Sequence, residues 1–392
     1  MTDATALLRR LVERGATFFT GVPCSHLDPL LSQVLGRSDV RYVAAAGEGE
    51  AVALCAGSWL TGRLGVVMCQ NSGLGNMVNP LTSLAASSGI PCLLIVSWRG
   101  EPGRPDEPQH ELMGRMTTGL LDLMEIGWRH LPPSDAALPG VLDEVFAHVA
   151  STRRPYAILV RPGDLTAGGG GARPRPAQVP AGLPSRHEAL TRIAGVLAPE
   201  AVVVATTGKC GREFHSIRDR ERNFYCVGAM GYANAIAHGI ALGTREPVYV
   251  LDGDGALLMH LGNLSTIGAT RPPALTHIVL DNGTYDSTGG QVTSAGTVDF
   301  AATARACGYP RAVACADLDD LARHLTRRIA SGPVLLHLRI RPGSVEKLGR
   351  PNRRPPEIAE RLRYAMATHR ATDAPAAVPA PEGMTDACTS QF

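Results

Sequence analysis

Residues 248–259 read VYVLDGDGALLM: strand-forming apolar residues end at a carboxylate between two glycines, and helix formers follow. The pattern continues through ALLMHLGNLSTIGA, with Leu257, Leu261, Leu264 and Ile267 on one helical face. RPPAL breaks the helix, THIVL reads as a second strand, and Asp281-Asn282-Gly283-Thr284 ends it. A strand, a helix and a strand in this order make a parallel, right-handed unit. Asp254 and Asn282 then sit at carboxyl ends of parallel strands, where open α/β sheets bind ligands. If the two strands are neighbours, they lie about 5 Å apart.

The rest of the chain follows the same plan. Candidate strands are 17–20, 65–68, 92–96 and 156–160 in the first half, and 201–205, 248–251, 277–280 and 334–340 in the second. Several are near-continuous apolar runs, as suits parallel strands covered on both faces. Residues 164–186, DLTAGGGGARPRPAQVPAGLPSR, cannot pack a core and read as a linker. The expected division is a first α/β domain over 1–163, a linker over 164–186, a second α/β domain over 187–365 and a disordered tail over 366–392. The halves share no convincing residue-level repeat.

Composition excludes several classes. The chain is 44% hydrophobic and 19% charged, enough for a core in each half. Thirty-eight Lys and Arg against 36 Asp and Glu leave a charge of +2, which argues against nucleic acid or an anionic membrane as partner. No apolar run approaches the length of a membrane span. The start, with Leu7, Leu8, Leu11 and Val12 at helical spacing, reads as an amphipathic helix and not a secretory signal. Nine cysteines without a CxxC pair point away from zinc or a disulfide framework and towards a reducing cytoplasm.

An Asp carboxylate, an Asn carbonyl oxygen and a nearby backbone carbonyl are hard ligands that suit Mg²⁺ with phosphate oxygens. The backbone at Gly253, Gly255 and Ala256 would approach those phosphates, at the start of a helix. A lone Gly-Asp-Gly reads equally as a capped helix start; the Asn at a strand end about one helix and strand later argues against that. The Gly208-Lys209 pair lacks the glycine and Ser/Thr of a P-loop, and no GxGxxG follows a strand.

The Gly-Asp-Gly…Asn pattern resembles the motif of thiamine diphosphate enzymes. The resemblance implies that Asp254, Asn282 and the Thr284 backbone oxygen bind Mg²⁺ and the diphosphate; Asp281 stands where Asn is common. Such enzymes also need a desolvated acid at the aminopyrimidine ring, so that the cofactor can lose a proton. In VAAAGEGEAVALCAGSW the match falls on Glu48, with Glu50 the neighbouring alternative. Met230 matches the apolar residue that props the cofactor into its bent shape. The implied fold is a pyrimidine-binding and a diphosphate-binding domain, each a parallel sheet flanked by helices, with no middle domain. The implied assembly is a homo-oligomer with sites between subunits.

The loops after the first-half strands narrow the likeness. GVPCS, NSGLGN, WRGEPG, DEPQH, TGKCGRE, DNGTYDSTGGQ and LGRP together resemble phosphonopyruvate decarboxylases, from about residue 18 to 351. These enzymes release CO₂ from phosphonopyruvate to give phosphonoacetaldehyde in phosphonate natural-product biosynthesis. Sulfopyruvate decarboxylases share several of the motifs, and Cys24, where many phosphonate enzymes carry Asp, keeps them as the alternative. Carboligation and a non-catalytic thiamine-binding subunit are the further alternatives. A phosphonate clamp would draw on Ser25 and Arg99, with Lys209 and Arg212 from the facing half. His110 is the candidate for proton transfer, and Asn71 for a contact to cofactor or substrate. The segment RPNRRPPEIAERLR after the last strand finds no role.

Overall fold

A computed structural model describes residues 1–168, 182–326 and 332–370. Its two large sheets each have six strands, all parallel. The first comprises β1 (Ala16–Gly21), β2 (Arg41–Ala44), β3 (Leu64–Gln70), β4 (Leu93–Ser97), β5 (Gly127–His130) and β6 (Tyr156–Val160). The second comprises β7 (Val202–Ala205), β8 (Asn223–Tyr225), β9 (Val248–Gly253), β10 (Leu275–Asp281), β11 (Arg311–Cys315) and β12 (Val334–Arg339). Their orders are β2-β1-β3-β4-β6-β5 and β8-β7-β9-β10-β12-β11, the same topology twice. The halves therefore repeat in architecture without repeating in residues.

Alternating strand residues feed two cores per sheet, which is why the strands read as unbroken apolar runs. Phe19, Val66, Met68 and Ile95 pack on one face of the first sheet, and Phe18, Val67, Cys69 and Leu94 on the other. Val203, Leu251 and Ile278 divide from Val202, Val250 and Val279 in the same way. The unforeseen strands β2, β5, β8 and β11 are the four sheet edges. Three of them carry Arg41, Arg129 and Arg311, because an edge needs fewer apolar contacts and must resist pairing with another chain; β8 carries Asn223, fully buried and bonded to Tyr225 and the Arg218 carbonyl.

Three expectations need correction. The segment expected as linker from 164 begins with a short strand, Leu165–Thr166, paired with Thr2–Asp3. The helix Pro355–Arg370 runs across the boundary expected at 365. The helix after Gly255 is two helices, Asp254–Met259 and Asn263–Thr270, interrupted where His260 leaves helical geometry (φ −132°) and stacks on Tyr232. The glycine-rich core of the linker, 169–181, and the tail 371–392 lie outside the described residues.

In each sheet the order reverses between the first and third strands, so β1/β3 and β7/β9 border the crevice where ligands bind such folds. The backbones nearly touch there: a Cβ on Gly21, at φ +146°, would lie 1.9 Å from the Met68 carbonyl oxygen. Gly21→Ala should therefore lower stability by about 2 kcal/mol or more in chemical denaturation. Gly57→Ala, on an exposed helix face with open space around it, should be neutral or raise stability by up to about 1 kcal/mol. Equal effects of the two substitutions would contradict this account of the crevice.

Candidate active site

Asp254 opens a helix directly after β9 and is 2% exposed. Its Oδ2 accepts from the Thr293 hydroxyl at 2.6 Å, and the Asn282 backbone N–H also donates to the carboxylate. Burial, reinforced by the charge of Asp281, pushes its carboxyl up to about 7. Asn282 follows β10, the strand paired with β9, so its side chain comes from the neighbouring strand end. Its Nδ2 donates to Asp286 at 2.7 Å, and its Oδ1 accepts from the Thr284 N–H at 3.1 Å. A cavity of about 270 Å³ opens here, lined by Asn282, Thr284, Thr293 and Arg339 among others.

Among the described residues no three His, Cys, Asp or Glu side chains cluster as a metal site. The donors at this spot are instead one carboxylate, an amide oxygen and a backbone carbonyl, a set completed by phosphate oxygens in Mg²⁺ sites. Asp254 is buried at a strand end with Asn282 on the neighbouring strand end, so the donor chemistry of these residues fits Mg²⁺.

The two glycines have different reasons. Gly255 must be glycine because a Cβ would lie 2.5 Å from the Tyr285 ring. Gly253 has an ordinary φ of −112° and nothing within 4 Å of where its Cβ would sit. Neither conformation nor internal packing requires glycine there, which leaves close approach of a ligand. Met230 lies between Ala229 (φ +51°) and Gly231 (φ +87°). A Cβ on Gly231 would be 2.8 Å from the Ala256 carbonyl oxygen, so this strained loop abuts the Gly-Asp-Gly helix.

The other half presents Glu48, the first residue of the helix Glu48–Leu60 and 6% exposed. Its Oε2 accepts from Asn76 Nδ2 at 2.8 Å, and its side chain fills the space a Cβ on Gly73 would need. Glu50 is exposed and caps the Ala46 N–H at 2.8 Å, a local role. A Cβ on Gly47 would lie 3.9 Å from Met259, so the first half faces the Gly-Asp-Gly helix of the same chain. Gln291 Nε2 donates to Asp28 across the same junction at 3.0 Å, and Arg350 pairs with Glu107. Burial, with the charges of Asp254, Glu48 and Glu50, pushes the Tyr285 phenol up. The resemblance implied that acid and diphosphate half-site come from different subunits. Within one chain the two halves also meet directly.

The loop after β4 is organised by Asp106, a residue to which sequence reasoning assigned no role. Asp106 accepts from Arg99 Nε at 2.8 Å and Nη2 at 2.5 Å, from the Gly100 and Glu107 N–H groups, and from His110 Nδ1 at 2.9 Å. Against its burial, these bonds hold the Asp106 carboxyl well below the usual range. A cavity of about 450 Å³ lies between the halves. Ser25, Arg99, Lys209 and Arg212 all line it, as does Ser287; His110 stands behind, on Asp106. A larger surface groove of about 610 Å³, beside Arg41, Glu50 and Arg63, holds none of these groups.

Comparison with known proteins supplies the family. The family described as "Thiamine pyrophosphate enzyme, N-terminal TPP binding domain" matches residues 1–122, and its C-terminal counterpart matches 206–338. A phosphonopyruvate decarboxylase of Streptomyces viridochromogenes is 46% identical over 380 residues, 94% of this chain and 96% of that protein. One from Streptomyces hygroscopicus is 46% identical over 93% of this chain and 94% of its own length. A sulfopyruvate decarboxylase of Methanosarcina acetivorans is 31% identical over 76% of this chain and 80% of its own. The chain belongs to the phosphonopyruvate decarboxylase family of thiamine pyrophosphate enzymes.

Two expected site residues of this family member do other work. Asn71, expected at the cofactor or substrate, is 1% exposed and spends its amide on the loop. Its Nδ2 donates to the Arg99 carbonyl at 2.8 Å and to Thr117 at 2.9 Å, while its Oδ1 accepts from the Arg99 N–H at 3.2 Å. Asn71 therefore positions Arg99. Arg212 lines the cavity, yet its guanidinium donates to the carbonyls of Leu348 and of Gly349, the latter at 2.8 Å. Arg186 and Asp286, which sequence reasoning passed over, form the support behind Asn282: Asp286 accepts from Arg186, from Asn282 and from the Gly343 N–H.

The raised Asp254 carboxyl gives a signed expectation. Below about pH 4 the protonated form is common to folded and unfolded chains; as pH rises to about 7 the cation-free folded state loses stability. Between pH 5 and 8, melting of cation-free protein should show wild type losing on the order of a few kcal/mol relative to Asp254→Asn. Mg²⁺ with thiamine diphosphate should restore wild type at pH 8 and leave the variant unchanged. Parallel pH profiles for the two proteins would refute the assignment.

Proposed function

We propose that the chain decarboxylates phosphonopyruvate to phosphonoacetaldehyde and CO₂ in phosphonate natural-product biosynthesis, with thiamine diphosphate and Mg²⁺. The observation that carries this reading is the direct meeting of two halves that each bury a carboxylate at a helix start, Glu48 and Asp254, with a strongly basic cavity between the halves. When bound, thiamine diphosphate supplies the nucleophilic carbon for the keto group and takes up the electron pair left by CO₂.

The chain's own residues bind, orient and move protons. Asp254, the Asn282 side chain and the Thr284 carbonyl would hold Mg²⁺, and Gly253 leaves room for a phosphate against the backbone. Glu48 would hold a proton at the aminopyrimidine ring through Oε1, since Asn76 occupies Oε2. Met230 would support the cofactor from beneath. Ser25, Arg99 and Lys209 would receive the phosphonate end of the substrate. Asp106 fixes His110 through Nδ1, which leaves Nε2 as the atom able to exchange a proton with product.

We also infer a homo-oligomer. Leu112, Met116 and Leu123 are 60%, 44% and 82% exposed on one face of the helix Pro108–Leu123, and Gly119 between them has open space. The eight described cysteines are unpaired, and no described helix is long and apolar enough to cross a membrane; both agree with a cytoplasmic enzyme.

The test is turnover of phosphonopyruvate, sulfopyruvate and pyruvate, each with and without thiamine diphosphate and Mg²⁺. The expected outcome is cofactor-dependent CO₂ release, with kcat/KM highest for phosphonopyruvate. Glu48→Gln should lower kcat about 100-fold or more, and Glu50→Gln only severalfold. Preference for sulfopyruvate would overturn the substrate, and full activity of Glu48→Gln would overturn the mechanism. In light scattering, Leu112→Glu with Met116→Glu should shift the protein to smaller species.

A further inference from the structure

The segment 348–355, left without a role by its sequence, forms part of the wall of the cavity between the halves. Arg350, Asn352, Arg353 and Arg354 line that cavity, together with Ser25 and Lys209. The segment is fastened at three points. Arg212 of the second half holds the Leu348 and Gly349 carbonyls. Arg350 pairs with Glu107 of the first half. Pro355 begins the helix Pro355–Arg370, and Glu357 caps the Arg354 N–H at 3.0 Å. Pro351 further restricts the backbone between these points. Residues 353 and 354 are thus held at the cavity, although their side chains are exposed to solvent.

The basic residues here divide by what they already bind. Arg99 is engaged by Asp106, Arg350 by Glu107, and Arg212 by backbone carbonyls. Among the described residues, Lys209, Arg353 and Arg354 have no ion-pair partner, and Glu107 is the one carboxylate lining the cavity. Burial, and after it the charge of Arg350, pushes the Arg212 guanidinium down. A phosphonate, like a phosphate ester, carries about 1.5 to 2 negative charges near neutral pH and offers three oxygens to planar guanidinium groups.

We infer that Arg353 and Arg354 are specificity-determining residues, which bind the substrate's phosphonate and set the preference for phosphonopyruvate over less charged keto acids. This rests on the function proposed above. Arg212 and Arg350 act as positioning residues that hold the segment in place.

The test compares wild type with Arg353→Ala/Arg354→Ala, loaded with thiamine diphosphate and Mg²⁺. For phosphonopyruvate, kcat/KM should fall about 100-fold, about tenfold per guanidinium, chiefly through KM. For pyruvate it should stay within about threefold, since that substrate lacks the group being read. Arg353→Lys/Arg354→Lys should recover part of the loss. The affinity for thiamine diphosphate and the melting temperature should be unchanged, which separates recognition from folding. If wild type is active and the double variant keeps its discrimination between the two substrates, the inference is overturned while the functional reading stands. If wild type does not turn over phosphonopyruvate, the functional reading falls. Calorimetric binding of methylphosphonate then decides the segment's role: loss in the double variant supports an anion site at Arg353 and Arg354, and equal binding overturns it.

Discussion

The burial of Asp254 is the constraint around which the second half is arranged. A carboxylate 2% exposed at a strand end is costly unless a cation or several donors meet it. The fold supplies the Thr293 hydroxyl and the backbone N–H groups of Asn282 and of Asp254 itself, which do not offset the burial. Around it the polar groups are fixed two deep. His337 holds Asp281 at 3.0 Å; His277 and Asn234 hold the fully buried Asp252 one strand over; Arg186 and Gly343 hold Asp286, which in turn orients Asn282. Supports of this kind fix the Asn282 side chain in one orientation beside Asp254.

Parallel sheets make this economical. Every strand delivers its carboxyl end to the same edge, so successive loops converge without long excursions. Repeating one topology in both halves, and facing the two crevices across a junction, brings loops from both sheets together. The halves can then specialise. One buries Asp254 among oxygen donors, and the other buries Glu48 against Asn76 and Gly73. Neither half alone brings both acids together.

The sequence displayed the central strands and the Gly-Asp-Gly…Asn pattern at two strand ends clearly, since both depend on local pattern. Residues such as 93–96 and 248–251 face core on two sides and can only be apolar. The edge strands escaped because half their surface is solvent, so Arg41 and Arg311 are as suitable there as valine. Side-chain roles were legible where the backbone demanded a residue type, as at Gly255 beneath Tyr285. They were not legible where the decision lay in a distant partner. Nothing local distinguishes an Asn71 that clamps Arg99 from one that meets a ligand, because its partners lie 28 and 46 residues on. The choice between Glu48 and Glu50 has the same character: two acids at one helix start, separated only by which one the fold encloses.

Charge balance explains why the cavity between the halves is more than a leftover gap. Six basic side chains and one acidic one line it, a local excess larger than the +2 of the whole chain. The rest of the chain is therefore net acidic by formal charge, so positive charge is concentrated at this cavity. Half of those basic groups are already occupied in holding loops together. That division has a mechanical logic. A guanidinium that grips a carboxylate or carbonyls restrains its loop, so the unpaired cations beside it keep their separation without a ligand. Preorganised positive charge of this kind repels itself in the empty enzyme and is relieved only by a multivalent anion. A monoanionic keto acid relieves it less, which turns electrostatic strain in the free enzyme into selectivity for the more highly charged substrate.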